Sequence, residues 1–148
     1  MMTADSNVFL YLWDTADVAR RTIARDVLRG LKTVPSAIGL QVVGEVQNVL
    51  TRKLKQKPAE AAQHGRDLLM GFDTFAPARS NVEEALGLMA RGRYQYWDAL
   101  LLTTARDAGC TVMFSEDMAD GSTFGPLEIV NPFGVDGLSG RARELLNA

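Results

Sequence analysis

The sequence predicts an α/β fold, a mainly parallel sheet held between two layers of helices. Three observations predict it. Short apolar or β-branched runs alternate with longer helical patterns along the whole chain. Two of those runs lead into acidic residues, which a parallel sheet would place at its carboxyl edge, where open α/β folds hold their ligands. The length, 148 residues, suits a single sizeable core.

Met2-Thr3-Ala4 reads as a short first strand that delivers Asp5 to its end. Ser6 to Trp13 is expected to be a loop entering a short apolar helix. Thr15 to Leu31 follows as a longer helix with Val18, Ile23, Val27 and Leu28 spaced for burial. Thr33 to Ile38 is the second strand candidate, with Pro35 arguing for an edge or end position and Gly39 breaking it. Leu40 to Lys57 is predicted as a helix with a stripe of Val42, Val43, Val46, Val49, Leu50 and Leu54, and Pro58 follows its end. On that wheel Glu45 lies about 110° from the stripe's centre, at the border of core and solvent. It suits either a cleft-lining residue or a solvated flank.

Ala59 to Gly71 is a further helix, carrying Leu68, Leu69 and Met70, and Phe72 to Ala78 a short strand candidate. Ser80-Asn81-Val82-Glu83 fits a capping box, so a helix is expected from there to about Ala90. The next helix opens in Tyr94-Gln95-Tyr96-Trp97-Asp98 and ends at Ala108-Gly109. Trp97, Leu101, Ala105 and Ala108 share one apolar arc, which assigns Trp97 to the core rather than to base stacking. Asp98 falls within the same arc. A carboxylate there costs roughly several kcal/mol unless it is protonated, paired or bound to a cation. Cys110 to Phe114 is the clearest buried strand and Leu127 to Val130 the last one. A glycine-rich stretch, Gly134 to Gly140, precedes two expected helical turns from Arg141 to Ala148.

Composition narrows the chemistry. One cysteine, Cys110, rules out an internal disulfide, in keeping with a reducing cytoplasm, where we expect the protein to work. Cys110 and the single histidine, His64, also exclude Cys- or His-rich zinc sites, so any metal must have oxygen ligands, as magnesium and manganese prefer. No apolar run approaches the roughly 18–20 residues of a membrane span, and the first residues lack a secretory pattern. The net charge of −2 hides an uneven distribution. Arg20, Arg21, Arg25, Arg29 and Lys32 fall in one segment, and Arg52, Lys53, Lys55 and Lys57 in another. Committing four carboxylates to a metal leaves about +2 over the rest of the surface.

Four acids have comparable placement: Asp5 and Asp117 after strands, Asp98 in the first turn of a helix, and Glu45 on a helix border. Clustered carboxylates repel one another and raise each other's pKa unless a cation neutralises them. A hard divalent ion does this, and can polarise a phosphoryl oxygen and acidify a bound water. Metal-dependent phosphodiester hydrolysis follows most directly. Arg52 and Lys53, two helical turns beyond Glu45, are placed to meet a phosphate backbone. The arginines at 20, 21, 25 and 29 form either an RNA-facing stripe or a solvated helix face.

Five motifs carry a resemblance. Asp5-Ser6-Asn7-Val8, Gln41-Val42-Val43-Gly44-Glu45-Val46, Tyr96-Trp97-Asp98-Ala99-Leu100 and Ser115-Glu116-Asp117-Met118 occur in the order of the acidic motifs of PIN-domain nucleases. The closing Ile129-Val130-Asn131-Pro132-Phe133 resembles the bacterial branch, the VapC-like toxins of VapBC toxin–antitoxin pairs. The resemblance covers residues 1–133, which it marks as a PIN domain, and leaves 134–148 as a C-terminal extension, flexible or a short helix. It implies a PIN-like three-layer α/β/α sandwich and a cytoplasmic endoribonuclease dependent on Mg2+ or Mn2+. It further implies a toxin that inhibits translation or growth, a homodimer, and a cognate antitoxin as partner. Carried over by position, Asp5, Glu45, Asp98 and Asp117 are the catalytic acids, with Asp5, Asp98 and Asp117 as metal ligands. Ser6, Asn7 and Ser115 are supporting polar residues.

The chain departs from the family at Gly39, where a serine is common. Glu116 is rejected beside Asp117 because neighbours along a strand end point to opposite faces. Asp120 is left between the site and the turn with Gly121. The alternative to an enzyme is a catalytically silent PIN-fold module that binds RNA or protein.

Overall fold

Met2–Ala4 form β1, and its two neighbours in the sheet explain where the rest of the molecule sits. The computed structural model describes residues 1–148. On one side β1 pairs in parallel with β4 (Val112–Phe114), with Met2 opposite Val112 and Ala4 opposite Phe114. The strand β4 pairs in parallel with β6 (Leu127–Val130), whose first two residues pair antiparallel with β5 (Thr123–Phe124). On the other side β1 meets the pair formed by β2 (Ala37–Gly39) and β3 (Asp73–Phe75), also parallel. The link is a single parallel bridge from Met2 to Ser36, with the Met2 amide donating to the Pro35 carbonyl at 2.9 Å. The resulting order is β3-β2-β1-β4-β6-β5.

Seven helices complete a three-layer α/β/α sandwich: α1 (Ser6–Leu10), α2 (Val18–Leu31), α3 (Leu40–Arg52), α4 (Pro58–Gly71), α5 (Arg79–Ala90), α6 (Tyr96–Asp107) and α7 (Gly140–Leu146). A 3-10 turn, Tyr11–Trp13, extends α1. Phe9, Leu31, Ile38, Leu50, Leu101, Leu102, Met113, Phe114 and Leu127 are fully buried in one core. Removing each such side chain from water is worth about 1.5–3 kcal/mol. A smaller cluster of Ala85, Leu88, Ala99 and Leu100 lies between α5 and α6.

Several boundaries and faces differ from the sequence expectations. The helix α2 begins at Val18 rather than Thr15, because Asp17 caps it by accepting the Arg20 amide at 3.0 Å. Val18, expected in the core, is 59 % exposed at that end. The helix α3 stops at Arg52 rather than Lys57; Lys55 has a φ of 56°, which ends helical geometry, and Leu54 is left exposed. Ser80 does not cap α5. Its cap is Ala78, whose amide donates to the buried Asn81 side chain at 2.8 Å. Leu69 and Met70 are exposed on α4, where only Leu68 of the three faces the core. Sequence reasoning missed β5 altogether, a two-residue edge strand too short to show alternation.

The last fifteen residues are built into the fold. Leu138, Ala142 and Leu146 are buried, and α7 packs on α2 at Gly30. A side chain at Gly30 would place its Cβ 2.9 Å from Leu146 Cβ.

Candidate active site at the carboxyl edge of the sheet

Because β1 and β4 are adjacent and parallel, the residues that follow them emerge side by side. The Asp5 amide still donates to the Phe114 carbonyl at 2.8 Å, and the Ser115 amide to the Val130 carbonyl at 3.0 Å. The backbone thereby aims Asp5 and Ser115 at one edge. Asp5 is also the N-cap of α1, its Oδ1 accepting the Ser6 amide at 2.7 Å, and is only 5 % exposed. Its Oδ2 accepts the Ser115 hydroxyl at 3.2 Å.

Asn7 and Ser6 tie the other acids to Asp5. The Asn7 amide nitrogen donates to Asp117 Oδ2 at 2.9 Å and, more weakly, to Asp5 Oδ2 at 3.3 Å. Asn7 Oδ1 accepts the Glu116 amide at 3.3 Å, so one side chain fixes the loop that carries Asp117. The Ser6 hydroxyl donates to Glu45 Oε2 at 3.0 Å. One turn before Glu45, the Gln41 amide nitrogen donates to Glu45 Oε1 at 2.8 Å and to the Trp97 carbonyl at 2.9 Å, joining α3 to α6. Gly39 is the N-cap of α3, and a Cβ there would lie 3.2 Å from both Leu101 Cδ1 and Phe75 Cε2, so a side chain at this position would require those two to shift by a few tenths of an ångström.

The electrostatics reflect this crowding. Burial above all, then the charges of Glu45 and Asp98, push the Asp5 carboxyl up to about 6 against the opposing hydrogen bonds from Ser6 and Ser115. Asp98 is half-buried in the first turn of α6. Its pKa is raised by burial and by the charge of Asp117, with a Gln95 hydrogen bond acting the other way. None of the chain's salt bridges involves Asp5, Glu45, Asp98 or Asp117. Their negative charge is answered only by neutral donors. Glu116, by contrast, pairs with Arg20 at 2.9 Å, and Arg20 lies 5.7 Å from the Tyr11 ring centroid and 5.6 Å from that of Phe133.

The donor set suits a hard cation, being made of carboxylate oxygens with uncompensated charge. As the side chains stand, no three Asp, Glu, His or Cys residues come close enough together to hold one ion directly. Ser6 and Asn7 bridge the carboxylates instead.

Two depressions flank the acids. One, of about 680 Å3, is lined by Gln41, Glu45, Asn48, Gln95, Trp97 and Asp98 among others. The second, of about 450 Å3, is lined by Asn7, Asp117, Glu116, Asp14 and Lys53 among others. Arg52 is exposed on the same end of α3 but lines neither. Trp97, assigned to the core from its helical arc, is 56 % exposed at the rim of the larger depression. The residues behind it on α6, Ala99 to Ala105, fill the core without it. Asp120 belongs to a turn, accepting the Asn131 amide at 2.8 Å. Sequence reasoning gave Gln41 and Gln95 no role. The i,i+4 spacing of Gln41 to Glu45 was a signal available for the first.

Comparison with known proteins agrees with this architecture. A family model for the PIN domain matches residues 2–119. The fold is similar to that of Mycobacterium tuberculosis VapC20, a sarcin-ricin loop cleaving toxin, at TM-score 0.62 and 18% identity, over 79% of this chain and 90% of that one. It is similar to VapBC2 from Rickettsia felis bound to a DNA fragment from its promoter (TM-score 0.63, 13% identity, 86% and 96% of the two chains). A third likeness is to VapBC-1 from nontypeable Haemophilus influenzae (TM-score 0.56, 11% identity, 78% and 86%). At these identities the likeness is one of fold. No curated protein matches the sequence. The match over most of the chain, with the acids at the carboxyl edge of a parallel sheet, places this protein in the PIN domain family.

Proposed function

We propose that this chain is a divalent-metal-dependent endoribonuclease and the toxin of a VapBC-type pair. The observation that carries the reading is the convergence of Asp5, Glu45, Asp98 and Asp117, from four separate parts of a PIN fold, with no cationic side chain paired to any of them. The fold neighbours named above, a loop-cleaving toxin and two VapBC assemblies, support the biological half of the reading.

Asp5, Asp98 and Asp117 would hold Mg2+ or Mn2+ in part through the ion's waters, since no three of the acids stand close enough to ligate one ion directly. Such an ion, when bound, supplies charge neutralisation at the scissile phosphate and a water of lowered pKa. The chain's own residues do the rest. Ser6 and Ser115 aim the two oxygens of Asp5, and Asn7 aims Asp117. Glu45, held at both oxygens by Ser6 and Gln41, is the carboxylate placed to take a proton from an attacking water. A single strand lying across the acids would enter both depressions, with Lys53 in the second and Arg52 beside it meeting phosphates. A cognate antitoxin and a homodimer complete the proposal. No helix is long and apolar enough to cross a membrane.

The test is cleavage of RNA by the purified protein with Mg2+ or Mn2+. Activity is expected to vanish in excess chelator and in Asp98→Asn, with folding preserved. Full activity in either case refutes the mechanism. Growth arrest on expression, relieved by a small neighbouring gene, tests the toxin role; unaffected growth with confirmed soluble protein refutes it.

A further inference from the structure

Trp97 is the least economical apolar residue near the site. Fully burying an indole is strongly favourable, yet this one stays 56 % exposed while seven consecutive residues of the same helix, Ala99 to Ala105, are buried. It is also held. Its ring meets Tyr96 edge to face, with centroids 5.0 Å apart and planes at 75°, and its carbonyl accepts the Gln41 amide that also grips Glu45. Trp97 therefore stands on the same support as two of the acids, Glu45 and the adjacent Asp98. It faces a depression of about 680 Å3, within the range of about 300–1,000 Å3 that small-molecule sites occupy. Three carboxamides, Gln41, Asn48 and Gln95, share its lining. Gln41 uses its amide nitrogen on protein groups, which leaves its carbonyl oxygen for a ligand.

An exposed aromatic plane with amide donors and acceptors around it is the chemistry that recognises an unpaired nucleobase: stacking supplies affinity, and the amides read the base edges. We propose that Trp97, with Gln41, Asn48 and Gln95, forms a base subsite that stacks the nucleotide next to the phosphate to be cleaved. The subsite rests on the ribonuclease reading of the neighbouring acids and adds to it a specificity-determining residue and a demand for single-stranded substrate at that position. A duplex keeps its bases stacked on each other and cannot offer one to the indole.

The experiment uses the full chain carrying Trp13→Phe, which leaves Trp97 as the single tryptophan reporter. A short single-stranded RNA of mixed sequence is titrated with Ca2+ in place of Mg2+ to slow cleavage, and indole emission and affinity are read together. RNA is expected to quench the emission. Trp97→Ala and Trp97→Leu, tested by retention of labelled RNA, should bind about ten- to a hundred-fold more weakly, and Trp97→Phe within a few-fold of the parent. Trp97→Leu keeps apolar bulk on the helix, so an equal loss in both variants separates stacking from folding. An abasic nucleotide moved along the RNA should weaken the parent at one position and leave Trp97→Ala unaffected there. Unchanged emission at saturating RNA, or equal affinity of Trp97→Ala, overturns the subsite. If the parent still cleaves RNA in Mg2+ in that case, the ribonuclease reading stands alone. A parent that neither binds nor cleaves RNA overturns both.

Discussion

Asp5→Asn should make the metal-free protein more stable at alkaline pH while abolishing its activity. Asp5 is nearly enclosed, and its carboxyl is raised from 3.8 to about 6, first by burial and then by Glu45 and Asp98. A carboxylate whose pKa is higher in the folded state favours folding while it is protonated. The contribution is fully present below about 3.8 and is lost as pH rises through about 6. The span corresponds to roughly 3 kcal/mol between the two ends of the range. Asparagine removes the charge but also weakens what Asp5 accepts: its amide can still cap Ser6, whereas its NH2 faces the Asn7 donor now 3.3 Å away. That loss is about 1 kcal/mol. The variant is therefore expected to be about 1–2 kcal/mol more stable than the parent at pH 8 in chelator, and about 1 kcal/mol less stable near pH 4. Urea unfolding of both proteins between those limits measures the difference. A difference that does not change with pH, or that favours the parent more at pH 8 than at pH 4, refutes the argument that Asp5 carries an unrelieved charge. Added Mg2+ should raise the midpoint of the parent and leave that of the variant nearly unchanged.

Three further outcomes follow from other contacts. Arg20→Ala removes the ion pair to Glu116 and frees the loop carrying Asp117, so kcat/KM for RNA should fall about tenfold while the urea midpoint moves little, the pair being partly exposed. Gly30→Ala drives a Cβ to 2.9 Å from Leu146 Cβ and 3.1 Å from both of its Cδ atoms, which should cost about 1–3 kcal/mol in urea unfolding. Beside Leu146→Ala, which keeps the Cβ contact and removes the other two, the added cost should shrink without vanishing. Arg106→Met breaks the two-pronged contact with Glu84, at 2.7 and 2.6 Å, that holds the Glu84 carboxyl below its usual range. Because that pKa is lowered by the fold, the stabilisation is present at neutral pH and lost as pH falls through the carboxylate range. The loss on mutation should be at most about 1 kcal/mol, since Glu84 is more than a third exposed, and should disappear in acid.

The alternation of strands and helices was legible because each element carries its own period and its own punctuation. Val112–Phe114 and Leu127–Val130 are short apolar runs closed by turn residues, and Val42, Val46 and Leu50 repeat every four residues. The acids were legible for a related reason. Asp5 and Asp117 follow strands, and a parallel sheet sends all such positions to one edge. Helix ends were harder. Pro58 after Lys57 pointed to a stop there, but Pro58 opens α4, and α3 has already ended at Arg52, with Lys55 at a positive φ.

By itself the sequence determined which residues share a face, which elements exist apart from the edge strand β5, and in what order the carboxylates arrive. Which face is covered was decided by the tertiary structure. Trp97 and Leu101 lie on one arc of α6, yet Leu101 is buried beside Gly39 at the sheet and Trp97 opens into a depression lined by Gln41, Glu45 and Asn48 of α3. Asn7 shows the same division. Its type and place suggested a supporting role, but only the pairing of β1 with β4 brings it within 2.9 Å of Asp117, 110 residues away. A periodic pattern is a property of one segment; burial and hydrogen-bond partners are properties of what packs against it.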